Sequence, residues 1–303
     1  MIGKKNQNNI LFAFFGTPRL SVNVLNALEK HGLLPALVVT APDKPAGRGQ
    51  KLTPSPAKQW AQARGIDVMT PTTLKDEAFA TELQNTEWDV FVVAAYGKLI
   101  PKTILDIPRR GSLNVHPSLL PKFRGPSPVI SAILADERTT GVSIMELAEK
   151  MDAGPVVAQA RVEIAEEDWP PKGSVLEDML AVEGGNLLAE VMPEWVAGTI
   201  TPELQDEAAA TYTRKFTDED AHISELNIGR LSLPIEAERS VLLKIRAFDK
   251  NPRAYFLDQN GKRVIVTEAE VRDGKLEILK VIPEGKKEIL FAQYAEQNKL
   301  SGM

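Results

Sequence analysis

The stretch Gly111-Ser-Leu-Asn-Val-His-Pro-Ser-Leu-Leu-Pro-Lys-Phe-Arg-Gly-Pro-Ser-Pro128 decides how this chain folds. Its first part, Ser112–His116, is an apolar run of the kind found in strands buried on both faces. Asn114 and His116 lie two residues apart at the end of that run, and in an extended strand this spacing puts both side chains on one face. One is a neutral amide donor, and the other can hold or release a proton near neutral pH. Together they can polarise a carbonyl and hold the charge that develops on its oxygen. Pro117 and Pro121 stiffen the exit from the strand, and Gly125 with Pro126 and Pro128 marks a loop.

The same texture continues on both sides. Ile10–Phe15, Leu34–Thr40 and Val90–Ala94 also read as buried strands. Ser21–His31 is helical and ends at Gly32; Ser55–Arg64 ends at Gly65; Lys75–Leu83 has the same pattern. This alternation predicts an α/β domain with a doubly wound, mostly parallel sheet. Thr140–Leu147 is a further strand, Val156–Ile164 a hairpin-like return, and Ser174–Ala197 a long helical pattern expected to break near Pro193. Gly16-Thr-Pro-Arg19 is not Gly-x-Gly-x-x-Gly, so the fold does not imply a dinucleotide. Open α/β sheets bind ligands beyond the carboxyl ends of their strands, and Asn114 and His116 lie at one such end.

Residues 198–213 are polar and read as a linker. Beyond it, Pro234–Ala247 is helical, and Tyr255–Leu257, Val264–Val271 and Leu276–Val281 are short strands. Asn260-Gly261 and Asp273-Gly274 are tight-turn dipeptides between them. A smaller, C-terminal β-rich domain is expected there. A chain of 303 residues is long enough for two domains, each with its own core, and 43% apolar content suits a globular protein.

The chain has no cysteine, which excludes disulfides and thiolate chemistry. Its three histidines, His31, His116 and His222, are not at metal-ligand spacing, so no metal is expected. Lys4, Lys5 and the run Ile10–Phe15 mimic a signal peptide, but the run is too short and no small-residue cleavage pattern follows. No segment is long enough to span a membrane, and a cytoplasmic protein is expected. The net charge of −5 argues against a generic nucleic-acid coat. The charge is uneven, however. Residues 41–64 hold five Lys/Arg against one Asp, residues 98–124 hold six against one, and residues 125–212 hold four against seventeen acids. The basic segments bracket the candidate site and could form a local phosphate-binding rim; an ordinary solvated surface would give the same counts.

Asn114-Val-His-Pro-Ser-Leu-Leu-Pro-Lys-Phe-Arg-Gly125 resembles the signature of the folate-dependent formyltransferases, and most of all those acting on methionyl-tRNA. The resemblance implies a formyltransferase-like catalytic domain over residues 1–205 and a smaller β-barrel-like (OB-like) tRNA-binding domain over residues 206–303. It also implies 10-formyltetrahydrofolate as co-substrate, the acceptor stem of methionyl initiator tRNA as partner, and a monomer. Asp152, in Lys150-Met-Asp-Ala-Gly154, fills the acidic position that completes a triad with Asn114 and His116. In that triad Asn114 and a cationic His116 stabilise the developing oxyanion. Asp152 holds the imidazole in its charged form and helps move protons from the attacking ammonium group. Ser118, Leu119, Leu120 and Pro121 match the family's folate-contacting stretch, and Tyr96-Gly97 lies where such enzymes shape the pterin pocket.

A second motif is Pro42-Asp-Lys-Pro-Ala-Gly-Arg-Gly-Gln-Lys-Leu-Thr-Pro-Ser-Pro56, a loop by its Gly and Pro content and basic through Lys44, Arg48 and Lys51. It lacks the Walker spacing. In the tRNA formyltransferases a loop with this Ala-Gly-Arg-Gly core enters the acceptor stem, and enzymes for small amines generally lack it. The loop therefore argues against a small-amine formyltransferase, and the filled triad argues against a silent tRNA-binding protein. The match extends through Pro202–Lys215 and Ile245–Phe248. It departs at Ile223-Ser-Glu225, at Asp249-Lys-Asn-Pro252 and in a shortened β-module. Arg124 departs from the glycinamide ribonucleotide version of the signature.

Overall fold

The alternating strands and helices assemble into a seven-stranded sheet in a computed structural model, which describes residues 10–46, 49–224, 226 and 235–298. Arg48 of the basic loop, Glu225, and Pro234 at the expected start of a helix lie outside the described residues. The chain forms two compact units. One comprises residues 1–125, 139–163 and 177–212; the other comprises 126–138, 164–176 and 213–303. Residues 206–212 thus group with the first unit, and two segments from within residues 1–205 group with the second.

The first unit opens with β1 (Phe12–Phe15), α1 (Arg19–Lys30), β2 (Leu37–Val39), β3 (Lys44–Ala46), β4 (Lys51–Thr53), α2 (Pro56–Gln62) and β5 (Asp67–Met69). It continues with α3 (Glu77–Gln84), β6 (Val90–Val93), α4 (Lys102–Leu105) and β7 (Ser112–His116). After α5 (Pro128–Leu134), which belongs to the second unit, come β8 (Thr140–Glu146), β9 (Val156–Val162) and α6 (Gly173–Ala197), whose residues 173–176 group with the second unit. The sheet order is β5-β2-β1-β6-β7-β8-β9. Strands β5 through β7 are parallel, and β8 and β9 are antiparallel.

Both faces of this sheet are covered, as continuous apolar strands require. Phe12, Phe14, Leu113 and Val115 pack in one core with Val24, Leu25 and Leu28 of α1, Trp60 of α2, and Leu188 and Met192 of α6. Ala13, Phe15, Phe91 and Val93 face the other way, into a core with Phe79 and Leu83 of α3, Trp88, Tyr96 and Ile104. The two-residue strand period that sends Leu113 and Val115 to the first core turns Ser112, Asn114 and His116 to the opposite side. Helix ends follow the sequence signals. Ser55 accepts a capping bond from the Lys58 amide, with Pro56 at the first helical position. Past α1, Gly32 sits at φ 74° while Leu33 N donates to the Leu28 carbonyl.

Three sequence expectations are corrected. First, α6 does not break at Pro193 but runs to Ala197. A proline there removes only one helical donor close to the helix end, and Met192 and Trp195 on either side are buried. Second, the basic loop carries a two-stranded antiparallel ladder, β3 with β4. Its strands are too short, and too rich in Lys, Pro and Gly, to show an apolar period. Third, residues 198–213 do not form a simple linker. Glu203 and Val156 exchange both backbone hydrogen bonds, and Arg124 N donates to the Thr211 carbonyl at 2.9 Å. This segment is a strap laid along the site-bearing loops, and it is polar because it is held by hydrogen bonds.

The second unit contains α5, α7 (Ile235–Ala247), β10 (Tyr255–Leu257), β11 (Arg263–Arg272), β12 (Lys275–Pro283), β13 (Ile289–Leu290) and α8 (Phe291–Gln297). The four strands form an antiparallel sheet in that order, the strand framework of a small barrel-like domain. Asp273 and Gly274, both at positive φ, turn β11 into β12, and register shifts near Glu268 bend the pair. Helix α7 packs on β11, β12 and α5. Among the described residues no helix is long and apolar enough to cross a membrane.

Candidate active site

The carboxyl end of β7 delivers Asn114 and His116 to the same face as Tyr96, as their spacing predicts. His116 is only 4% exposed. Its Nε2 lies 3.0 Å from the Phe123 carbonyl. A carbonyl can only accept, so Nε2 carries the hydrogen and donates. In the neutral ring Nδ1 is then the bare nitrogen, and it stands 3.8 Å from Asp152 Oδ2. The Asn114 amide has no hydrogen-bond partner among the described residues, although the residue is half-buried.

Asp152 lies in the β8–β9 turn with φ 50°, a left-handed backbone that aspartate tolerates better than most residues. Its Oδ2 accepts a 2.7 Å hydrogen bond from Gly125 N. Gly154 allows the turn to close, since a Cβ there would fall 1.8 Å from the Glu146 carbonyl oxygen. The sequence brought Asn114, His116 and Asp152 together by resemblance, and the fold places them at one strand end.

The expected charge state of His116 is corrected. Burial pushes its pKa below the ordinary 6.5; Asp152, and then the hydrogen bond to Phe123, pull it upward but do less. The resting imidazole is therefore a neutral base, and Asp152 is positioned to stabilise the cation once a proton arrives.

Tyr96 lies in the segment after β6, with its ring edge-on to Phe15. Its hydroxyl is buried without a partner among the described residues, and burial pushes its pKa up to about 12. It is thus a neutral donor waiting for an acceptor. Gly97, at φ 78°, turns the chain there. The 118–121 stretch is tied into the protein. Ser118 Oγ donates to the Lys122 carbonyl, Leu120 N to Ser143 Oγ, and Gln159 Nε2 to the Leu120 carbonyl. The Leu119 side chain reaches Gly141, where a Cβ would meet its Cδ2 at 2.6 Å. Pro121 follows a cis peptide.

Lys44 and Lys51 are exposed on the two arms of the β3–β4 hairpin, and Arg48 between them is outside the described residues. Among the described residues no group of three or more potential metal ligands occurs.

Sequence reading missed Phe123, Gly125 and Gln205. The first two act through main-chain atoms, which leave no side-chain signature. Gln205 donates to the Asp152 carbonyl at 2.9 Å and the Gly154 carbonyl at 2.6 Å. Its only signal was its place in the stretch 202–215.

Residues 8–191 match the family described as Formyl transferase. A methionyl-tRNA formyltransferase of Chloroflexus aggregans is 44% identical over 245 residues, which are 80% of this chain and 74% of that protein. Two solved structures share the fold at low identity. One is a methionyl-tRNA formyltransferase from Clostridium thermocellum, with TM-score 0.58 and 16% identity, covering 90% of this chain and 98% of that one. The other is HypX from Aquifex aeolicus in complex with tetrahydrofolic acid, with TM-score 0.64 and 18% identity, covering 99% of this chain and 48% of that one.

Proposed function

Because the chain belongs to the methionyl-tRNA formyltransferase family, we propose that it transfers the formyl group of 10-formyltetrahydrofolate to the amino group of methionine on initiator tRNA. The observation that carries this reading is the pairing at the end of β7: an unpartnered amide at Asn114 beside a neutral histidine whose bare Nδ1 faces Asp152 at 3.8 Å.

The folate supplies the activated formyl carbon. This chain's residues supply charge and proton handling. As the amine nitrogen adds to the formyl carbon, Asn114 Nδ2–H donates to the oxygen on which charge develops. His116 Nδ1 takes a proton from the nitrogen, and the Asp152 carboxylate stabilises the resulting imidazolium. Collapse expels the tetrahydrofolate nitrogen, which must gain a proton, and the imidazolium is the adjacent acid. Burial strengthens each of these interactions relative to water.

We assign folate contacts to Tyr96 and Gly97 and to the 118–121 stretch. The buried, unpartnered Tyr96 hydroxyl supports the first. Leu99, two residues after Gly97, and Met151, next to Asp152, are exposed apolar side chains, and we assign them to the rim of the folate site. Because the Ser118 hydroxyl and the Leu120 amide are engaged internally, we assign 118–121 the role of shaping the pocket wall. Lys44, Arg48 and Lys51 contact the acceptor stem in this reading, residues 1–205 carry catalysis and residues 206–303 help grip the tRNA.

Incubating the protein with 10-formyltetrahydrofolate and either Met-tRNA or small amines, followed by mass spectrometry, tests this. Formylmethionine on tRNA is expected. Formylation of small amines alone, or tRNA binding without product, overturns it.

A further inference from the structure

Three consecutive residues organise the site. Phe123 accepts from His116 Nε2 through its carbonyl, and its amide donates to Thr211 Oγ1 at 2.8 Å. Gly125 donates its amide to Asp152 Oδ2 at 2.7 Å. Arg124, between them, is fully buried. Its Nε donates to Gln205 Oε1 at 2.9 Å, and its terminal nitrogens donate to Tyr212 Oη at 2.9 Å and Glu207 Oε1 at 2.7 Å. Arginine can only donate, so Gln205 must turn its oxygen to Arg124 and both amide hydrogens away from it. Those hydrogens meet the carbonyls of Asp152 and Gly154.

The bonds form a closed ring: Asp152 main chain, Gln205, Arg124, Gly125, Asp152 carboxylate. Such a ring fixes both ends of Asp152. Without it, the left-handed backbone at Asp152 and an exposed turn would let the carboxylate drift.

We propose that Gln205, oriented by the buried Arg124, is a positioning residue that holds the Asp152 carboxylate where it acts on His116, making the strap of residues 203–212 a working part of the catalytic unit. The proposal rests on the reading of Asn114, His116 and Asp152 as the catalytic set. Asp152 is the charged group facing the imidazole, from the β8–β9 turn. The following loop presents the neutral Phe123 carbonyl, and the paired position on β8 is the neutral Ser143. Displacing the Asp152 turn therefore changes the charge that stands against His116 among the described residues.

The test uses the full chain and Gln205→Leu, which keeps the volume and removes every polar contact. Formylation of Met-tRNA should lose at least about tenfold in kcat, the scale of a small misplacement of a catalytic group, with little change in KM. In an Asp152→Asn background the same substitution should cost no more than about twofold, because coupled residues are not additive. The His116 imidazole, followed by NMR without substrate, should titrate lower in Gln205→Leu, and adding Gln205→Leu to Asp152→Asn should leave it where Asp152→Asn alone puts it. An unchanged kcat, an equal loss in both backgrounds, or an unmoved His116 titration overturns the proposal. If Gln205→Leu does not fold, Gln205→Asn, which keeps the amide but shortens its reach, carries the same readouts. A wild-type chain that does not formylate Met-tRNA counts against the function, while the substrate-free His116 titration still decides the clamp.

Discussion

His116 Nδ1 and Asp152 Oδ2 stand 3.8 Å apart, within ion-pair distance and outside hydrogen-bond distance, because Gly125 N holds the carboxylate oxygen at 2.7 Å. In the proposed reaction this spacing leaves Nδ1 able to accept a proton from substrate and keeps a negative charge beside it when it does. A resting hydrogen-bonded pair would have no bare nitrogen to offer.

Asn114→Ala, His116→Ala and Asp152→Ala should each reduce turnover at saturating substrates by at least about a hundredfold, the scale of losing one group that acts on the developing charge. Folate affinity, measured by calorimetry, should change far less. A variant that keeps near-normal turnover removes its residue from the mechanism.

Turnover should rise with pH through the loss of the His116 proton, at an ionisation below the usual 6.5. Asp152→Asn should move that ionisation further down, since Asp152 pulls it upward; an unmoved profile breaks the pairing. Stability follows the same group. Below 6.5 the unfolded chain binds this proton more readily than the folded one, so stability is complete above that value and declines as pH falls through the lower folded pKa. Between about pH 7.5 and about pH 5, the thermal midpoint of His116→Gln should fall less than that of wild type.

Glu207 is held down to about 2, from an ordinary 4.5, first by its hydrogen bond to Arg124 and then by Lys150. A depressed carboxylate contributes stability that is present above its unfolded pKa and lost as pH falls through the folded one. The thermal midpoint of wild type should therefore drop more than that of Glu207→Gln between pH 4.5 and about 2. Parallel curves would show that the strap does not depend on this carboxylate.

Gly154→Ala should dislodge the Asp152 turn, because the new methyl would sit 1.8 Å from the backbone oxygen of Glu146. The expected loss is about 1–3 kcal/mol of stability, typical of overpacking, together with a turnover defect much like that of Asp152→Ala. Circular dichroism melts and steady-state rates check both. Normal activity would mean the turn can open without moving the carboxylate.

Arg48→Ala should weaken use of Met-tRNA while sparing folate binding, and Lys44→Ala and Lys51→Ala should act in the same direction. Each lost phosphate contact should lower the log–log salt slope by about 0.7–0.9. With a net charge of −5, chain-wide attraction to RNA cannot supply this effect, so it must come from a local cluster. Equal rates and equal slopes across a salt series would take the hairpin out of the tRNA site.

The order of residues was enough to specify six of the seven strands of the large sheet, all but the edge strand β5, which has no apolar run, and the face that carries Asn114 and His116. Continuous apolar runs require burial on both sides, and the two-residue strand period puts Asn114 with His116 and against Leu113 and Val115. Resemblance added Asp152, which no period or spacing could place, because it lies on a separate turn 36 residues beyond His116. The fold, and not the order of residues, sets the direction in which the His116 pKa is displaced. Desolvation depends on what surrounds the ring, and it outweighs the neighbouring carboxylate. Tertiary structure also decided that a polar stretch read as a linker is a strap. The groups that bind it are backbone amides, carbonyls, Lys150 and the fully buried Arg124, and a chain of residue names does not disclose how such groups pair until the loops are brought together.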